Sequence, residues 1–269
     1  MRRILPIMAG LMMFCSTTYA FNQKEINVRS EKMKKDVPVN VITPDGYDQG
    51  EEYPVIYLLH GFSDNHVKWT QKGVVGGLSD QYGIIFVLPD GGYDSWYFDS
   101  VITPEYQYET FVSSELVSYI DSNYKTIKDR KGRAITGLSM GGHGAMYLGI
   151  RHQDVYGSMG AMSGGVDFRP FEDQWGVGKR LGPKEEYPQN WDDNTVINMT
   201  HLLQPGAMNI IVDCGTEDFF YEVNCALHDK LLMQGIPHEF YTRPGMHNWV
   251  YWLNAIKYQV LYFNDCFSR

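Results

Sequence analysis

The sequence predicts an α/β domain: a mostly parallel central sheet with helices on both faces. Three observations carry that expectation. Short apolar runs rich in β-branched residues alternate with helix-patterned stretches over most of the chain. Runs such as "VIYLL" (55–59) are apolar at every position, as a strand covered on both faces requires. The serine of "AITGLSMGGHGA" (134–145) stands between a strand-like run and a helix-like one, among glycines that weaken both.

The elements follow in order. Val37–Ile42 alternates and is expected as an early strand. Val55–Leu59, Ile84–Leu88, Arg133–Thr136, Ser158–Met162, Asn209–Val212 and Glu239–Thr242 are the remaining strands. Among the helices, Val112, Leu116, Tyr119, Ile120 and Tyr124 mark one apolar stripe. Gly142–Ile150 is a helix of small residues. Val223–Met233 is another, with Gly235 placed for a left-handed C-terminal turn. Asn248–Phe263 is the last and is strongly aromatic. Residues 164–193 carry no period. They hold Phe168, Phe171, Trp175, Tyr187 and Trp191 among glycines, prolines and charges, and are expected as a long lid or binding loop. The ordinary alternative is aromatic packing under that loop. Sheets of this type place their sites at the carboxyl ends of the strands.

The first twenty residues stand apart. Arg2 and Arg3 precede an apolar run, Ile4–Phe14, and Thr18-Tyr19-Ala20 offers a cleavage site before polar "NQKE". This is the pattern of a secretory leader over 1–20, leaving one domain over 21–269 in a secreted or periplasmic protein. The run is too short to span a bilayer, and no other stretch is expected to span one. A buried N-terminal helix is one alternative. Lipid anchoring at Cys15 is another, although "MMFC" lacks the small residues that precede a lipidated cysteine.

The 269 residues suffice for one large core. Loss of Arg2 and Arg3 with the leader takes the formal charge from −9 to −11, a balance that disfavours nucleic acid as a partner. Cys214, Cys225 and Cys266 then remain, none in a C-x-x-C pair. No two histidines have metal-ligand spacing either, so no metal and no cofactor are expected. A Cys214–Cys225 disulfide would close a short loop in an oxidising compartment. Buried thiols are the simpler reading.

The glycine-ringed serine now has a context. Gly137-Leu138-Ser139-Met140-Gly141 fits G-x-S-x-G between a strand and a helix, the setting in which a sharp turn exposes a nucleophile. The alternative is a chance Gly/Ser turn. A serine hydroxyl needs a base and a group to orient that base. On such sheets the chain order is serine, acid, histidine. "NIIVDCGTEDFF" ends a late strand and offers Asp213, Glu217 and Asp218. Asp213 belongs to the strand end. Asp218 is preferred because Gly215 and Thr216 turn the chain first, and Phe219-Phe220 can bury its surroundings. Glu217 is the fallback. His247, in "RPGMHNWVYW", follows the last strand. His60 precedes the serine, His143 lies on a helix expected to point away, and the other histidines read as surface or packing positions. The oxyanion needs two amide donors. Met140, directly after the nucleophile, supplies one, and Phe62 in "LLHGFSDNHVKW" the other, with Gly61 allowing close approach.

Five blocks, "YLLHGF", "VLPDGGYDSWYFDS", "GLSMGGHGA", "DCGTEDFF" and "PGMHNW", resemble the esterase D-like branch of the α/β-hydrolases. That branch includes the feruloyl and acetylxylan esterases of carbohydrate esterase family one, the S-formylglutathione hydrolases and mycolyltransferases. The resemblance covers nearly all of the mature chain and keeps the order of the blocks. It implies an α/β-hydrolase fold, Ser139, Asp218 and His247 as a triad, and Phe62 with Met140 as oxyanion donors. It also implies that the Ser95-Trp96-Tyr97 loop lies beside the acyl pocket. Trp96, Tyr97 and Trp249 are then the candidate substrate contacts.

Within that family the leader argues against the cytosolic formylglutathione branch. The expected function is an exported esterase that removes feruloyl groups from plant cell-wall polysaccharide or oligosaccharide. The alternatives are an acetyl(xylan) esterase, then a formylglutathione hydrolase-like thioesterase. A non-catalytic binding protein of the same fold is a reading of a different class, and the complete triad argues against it.

Overall fold

The structure is a computed structural model that describes residues 20–49, 51–171 and 174–268. The expected leader lies outside the described residues except for Ala20, and so does Cys15. Eight strands form one sheet: β1 (Asn22–Ser30), β2 (Lys35–Thr43), β3 (Val55–Leu59), β4 (Ile85–Pro89), β5 (Arg133–Gly137), β6 (Ser158–Met162), β7 (Asn209–Gly215) and β8 (Glu239–Arg243). Their spatial order is β1-β2-β4-β3-β5-β6-β7-β8. β1 pairs antiparallel with β2, and β2 with β4. Every other pairing is parallel. This is an α/β-hydrolase sheet in a single domain, as the sequence predicts.

The helices in chain order are α1 (Lys68–Gln71), α2 (Val75–Tyr82), α3 (Tyr108–Thr110), α4 (Leu116–Asn123), α5 (Met140–Arg151), α6 (Val177–Leu181), α7 (Pro188–Asp193), α8 (Val196–Met199), α9 (Tyr221–Met233) and α10 (Trp249–Phe267). A π-helical turn at Phe111–Glu115 joins α3 to α4. Strand parity decides which helix meets which face. Val55, Tyr57 and Leu59 of β3 join the core under α4, α5 and α9. Ile56 and Leu58, one residue out of phase, join the core under α2 and α10. All five β3 residues are therefore buried, which explains the uninterrupted apolar run.

Three features depart from the sequence expectation. β1 has only Ile26 and Val28 as aliphatic residues, and its first four residues are exposed, so an edge strand left little apolar signal. α1 and α2 fill a stretch for which no helix is expected. α2 buries Val75, Gly76, Leu78 and Ser79 and closes on Gly83 in the left-handed region. The 164–193 segment is not a structureless loop. It contains a 3-10 turn at Arg169–Phe171 and the short helices α6 and α7, with Phe168 and Trp191 fully buried. Among the described residues Cys214, Cys225 and Cys266 form no disulfide with one another, and Cys225 is half-buried.

Glu109 of α3 ties the helical layer together. Its carboxylate accepts from Tyr147 Oη (2.6 Å), Arg151 Nε (2.7 Å) and His152 Nε2 (2.9 Å) at the far end of α5. Burial alone would raise its pKa, but the three hydrogen bonds outweigh burial and hold it at about 2, below the ordinary 4.5. A carboxylate depressed on folding stabilises the fold above its unfolded pKa and loses that contribution as pH falls through the folded value. The difference corresponds to about 3 kcal/mol. Glu109→Gln should therefore lower stability at pH 7 by that order. The gap to wild type should narrow between about pH 4.5 and pH 2 in denaturant melts.

Candidate active site

Ser139 sits at the carboxyl end of β5 with φ 55° and ψ −118°, a strained conformation for a residue with a side chain. The turn is tight because backbone meets backbone. A Cβ on Gly141 would lie 2.5 Å from the His60 carbonyl oxygen, and one on Gly137 would lie 2.6 Å from the Gly141 carbonyl. Only glycine fits at either position, which accounts for the motif. Gly142 and Gly144 let α5 press on Gly164 and on the Tyr97 ring. The Ser139 amide donates to the Met162 carbonyl (2.9 Å), and His143 N–H donates to the Ser139 carbonyl (3.0 Å). The hydroxyl is thus left on the outside of the turn.

His247 and Asp218 arrive from the two neighbouring strand ends, β8 and β7. His247 Nε2 lies 2.9 Å from Ser139 Oγ. Its Nδ1 lies 2.8 Å and 2.9 Å from the two carboxylate oxygens of Asp218. That carboxylate is buried and also accepts from Phe220 N–H (2.8 Å). An Nδ1–H donated to the carboxylate leaves Nε2 as the acceptor for the serine proton. The three sequence-predicted residues are therefore brought together in hydrogen-bond contact.

Glu217, the fallback acid, faces elsewhere. Its carboxylate accepts from Gly245 N–H (2.6 Å), and its own N–H donates to the Gly245 carbonyl (3.0 Å). It pins the loop that carries His247. Asp213 does not face the serine either. It is buried and binds Tyr251 Oη and the Arg243 guanidinium. Burial pushes its carboxyl pKa up, and those two partners oppose the shift.

The Phe62 and Met140 amides donate to no protein acceptor among the described residues. A Cβ added at Gly61 would lie 3.4 Å from the Ser139 Cβ, so the β3 loop passes directly over the serine. His60 secures that loop, a role the sequence did not reveal. Its Nε2 accepts from Gly91 N–H (2.7 Å), so its Nδ1–H donates to the Gly61 carbonyl (2.8 Å). Full burial lowers its pKa and keeps the ring neutral, as this tautomer requires. His143 is also buried, with its pKa pushed down to about 4 by burial, and packs against Trp96 and Tyr147 rather than the serine.

The expected substrate contacts need correction. Trp96 is 1% exposed and Tyr97 0%, so neither offers a free ring face. Tyr97 fills the space left by Gly91 and Gly144, and its Oη donates to the His60 carbonyl (3.1 Å). Trp96 packs on His143 and Phe168 and donates Nε1–H to the Trp175 carbonyl (3.0 Å). Both take positive φ, 53° and 64°, which folds their rings inward. Trp249 packs against Trp69 and Trp252, with the Lys72 ammonium 4.9 Å from its ring centroid. It is one ring removed from His247, which Trp252 touches edge-on.

Other rings border the site. Phe219 is 48% exposed, lies 4.2 Å from the His247 ring and stacks on Trp175 at 5.4 Å. On the opposite side Phe62 meets Tyr93, which is 59% exposed, at 4.9 Å. Phe219 directly follows Asp218, and Tyr93 lies in the "GGYDSW" block, so adjacency to motif residues was the available signal.

A family model described as a putative esterase matches residues 30–263. The chain is 26% identical over 248 residues to an acetyl esterase of Caldicellulosiruptor saccharolyticus, covering 85% of this chain and 92% of that protein. It is 32% identical over 159 residues to an endo-1,4-beta-xylanase/feruloyl esterase of Xylanibacter ruminicola. That match covers 54% of this chain and only 22% of the longer relative. Among solved structures, a ferulic acid esterase superposes with a TM-score of 0.81 at 27% identity, over 93% of this chain and 99% of that one.

Proposed function

The chain belongs to the esterase family, and we propose that it is an exported serine esterase acting on hydroxycinnamoyl esters of plant cell-wall polysaccharide. The observation that carries the mechanism is the unbroken hydrogen-bonded line Ser139–His247–Asp218 beside two unengaged amides. His247 Nε2 takes the Ser139 proton as Oγ attacks the ester carbonyl. The Phe62 and Met140 amides hold the oxyanion. Collapse expels the sugar alcohol, which takes the proton back from His247, and leaves an acyl-serine. Water, deprotonated by His247, then releases the acid. Asp218 keeps the imidazole in the required tautomer.

The feruloyl preference rests on the half-exposed Phe219 ring, which stacks on Trp175, and on the Phe62–Tyr93 pair opposite. A stacked aromatic contact is worth about 0.5–1.5 kcal/mol beyond area burial, roughly twofold to tenfold in rate preference. The acetyl esterase match over most of both chains favours the second reading, an acetyl esterase.

The export reading rests on the leader pattern of residues 1–20. The Phe21 amide nitrogen lies 3.2 Å from Asp80 Oδ2, and the Phe21 ring packs where a Cβ on Gly76 would sit. Cleavage after Ala20 would leave the new α-ammonium beside a carboxylate. The mass of exported protein should match a chain starting at Phe21. A mass that retains the leader overturns export with cleavage.

Ser139→Ala should reduce kcat by about 10⁴–10⁶ without loss of fold. His247→Ala should match it, and the double variant should be little worse. Asp218→Asn should cost about 10⁴ and Glu217→Gln far less, because Glu217 acts only through the loop. Greater damage from Glu217→Gln would move the acid role.

For the substrate, kcat/KM on methyl ferulate should exceed that on a short acetyl ester. Phe219→Ala and Trp175→Ala should each erode the preference by roughly twofold to tenfold. A tenfold advantage for acetyl esters that both variants leave unchanged would identify an acetyl esterase instead.

A further inference from the structure

A second cleft lies at the other end of the sheet, away from Ser139. It measures about 280 Å³ and is lined by Asn22, Lys24, Tyr47, Tyr119, Asn123 and Tyr124, among others. Strand direction places it. Asn22 pairs with Thr43, and Thr43 follows Ile42, the partner of Phe86 at the start of β4. Tyr53, just ahead of β3, hydrogen-bonds to Lys125 and Ile127, just beyond Tyr124. The cleft therefore sits at the amino ends of the parallel strands, whereas Ser139 follows the carboxyl end of β5. A five-residue strand separates the two levels by roughly 15 Å.

Part of this cluster is structural. Tyr47 Oη accepts from Lys125 N–H (2.7 Å), just beyond α4, and Tyr53 Oη donates to the Gly46 carbonyl, so these hydroxyls serve the loop between β2 and β3. The remaining groups are not needed for that. The side chains of Asn22 and Lys24, the Asn123 carbonyl oxygen, and the Tyr119 and Tyr124 hydroxyls make no hydrogen bond to protein among the described residues. Tyr124 and Tyr47 stand at 51° to one another, 6.5 Å apart, and form an angled aromatic wall. Asn22 and Lys24 are alternate residues of β1 and so face the same side.

The chemistry selects the ligand. Half-buried tyrosine rings present flat apolar faces next to hydroxyls, and the asparagines add amide donors and acceptors. Lys24 and Asp48 balance in charge across the cleft, and the chain as a whole is acidic, so a phosphate or polyanion is disfavoured. A neutral ligand with C–H faces and a rim of hydroxyls matches both features, and its volume suits a small site. We propose that this cleft binds a neutral sugar unit of a polysaccharide chain, as a non-catalytic site separate from the ester-cleaving one. The inference rests on the polysaccharide part of the proposed function. Two weak sites on one polymer raise retention through effective concentration, even when each alone is weak.

The test uses the full mature chain with Ser139→Ala, run in native gels containing soluble arabinoxylan, and a titration with xylohexaose followed by NMR. Asn22→Ala and Asn123→Ala are introduced together, since both side chains are exposed and leave the tyrosine packing intact. The expected result is a polysaccharide-dependent retardation that falls at least threefold in the double variant, with xylohexaose shifts at Tyr119 and Tyr124. The same pair of substitutions in the Ser139 enzyme should leave kcat/KM on methyl ferulate within twofold. Equal retardation with and without the substitutions overturns the proposal, as does absence of retardation in the parent. A protein that is retarded through this cleft but cleaves no ester would instead overturn the esterase reading and leave this one standing.

Discussion

The strained turn at Ser139 is the constraint on which the rest of the site depends. A non-glycine residue at φ 55° and ψ −118° costs of order 1–3 kcal/mol and persists only if its surroundings allow nothing else. Here the surroundings are main chain. Gly137 and Gly141 abut one another, and Gly141 lies against the carbonyls of Leu59 and His60 at the end of β3. The strain is held by the central strands of the sheet, β3 and β5, whose residues are all buried. A loop could not hold it. The same contact brings Gly61, which precedes the proposed donor Phe62, over the serine. One close approach therefore sets both the nucleophile's position and that of the proposed oxyanion donors.

The other two members of the proposed triad depend on parallel strand order. β7 and β8 are neighbours, and both end at the level of the elbow. Asp218 follows β7 by three residues and His247 follows β8 by four, so the acid and the base meet without a long excursion. Two supports fix their relative position. Glu217 and Gly245 exchange a pair of hydrogen bonds between the loops, and Asp213 binds Arg243 and Tyr251 below them. A Cβ on Gly215 would lie 2.2 Å from the Gly245 carbonyl, so these loops too meet backbone to backbone. The carboxylates flanking Asp218 are thus committed to structure, which leaves Asp218 to face the imidazole.

How much of this was legible follows from where each signal resides. Buried parallel strands write themselves as apolar runs, and Val55–Leu59 and Ser158–Met162 agree with the structure to the residue. The elbow was legible because its glycines answer local collisions. The acid and histidine were legible through chain order alone. β1 was not, because an exposed edge strand can be polar at almost every position. α2 was not, because its Gly76-Gly77 pair hides a helix whose glycine makes room for Phe21. His60 could not be read as a loop anchor, since its partners, Gly91 and Gly61, are main-chain groups brought together only by the fold. The rings bordering the site were the hardest. An aromatic residue looks the same in sequence whether it is buried or exposed, and Trp96 and Phe219 fall on opposite sides of that line.

That difference has a structural origin. Trp96 and Tyr97 are consecutive residues with positive φ, and the turn this makes drives both rings beneath the site. Once buried, Trp96 spends its one donor on the Trp175 carbonyl. The next residue, Gly176, has φ 70° and comes so close to Asp94 that a Cβ would lie 2.6 Å from its carboxylate oxygen. Asp94 in turn forms a buried ion pair with Arg180, whose guanidinium lies over Tyr106. The 90–98 loop and the 164–193 segment are therefore joined at three points. Trp175 presents its ring to Phe219, and Phe219 to His247. The tryptophan that the motif marks does not touch the site from this position. It holds in place Trp175, which backs Phe219, the ring that meets His247.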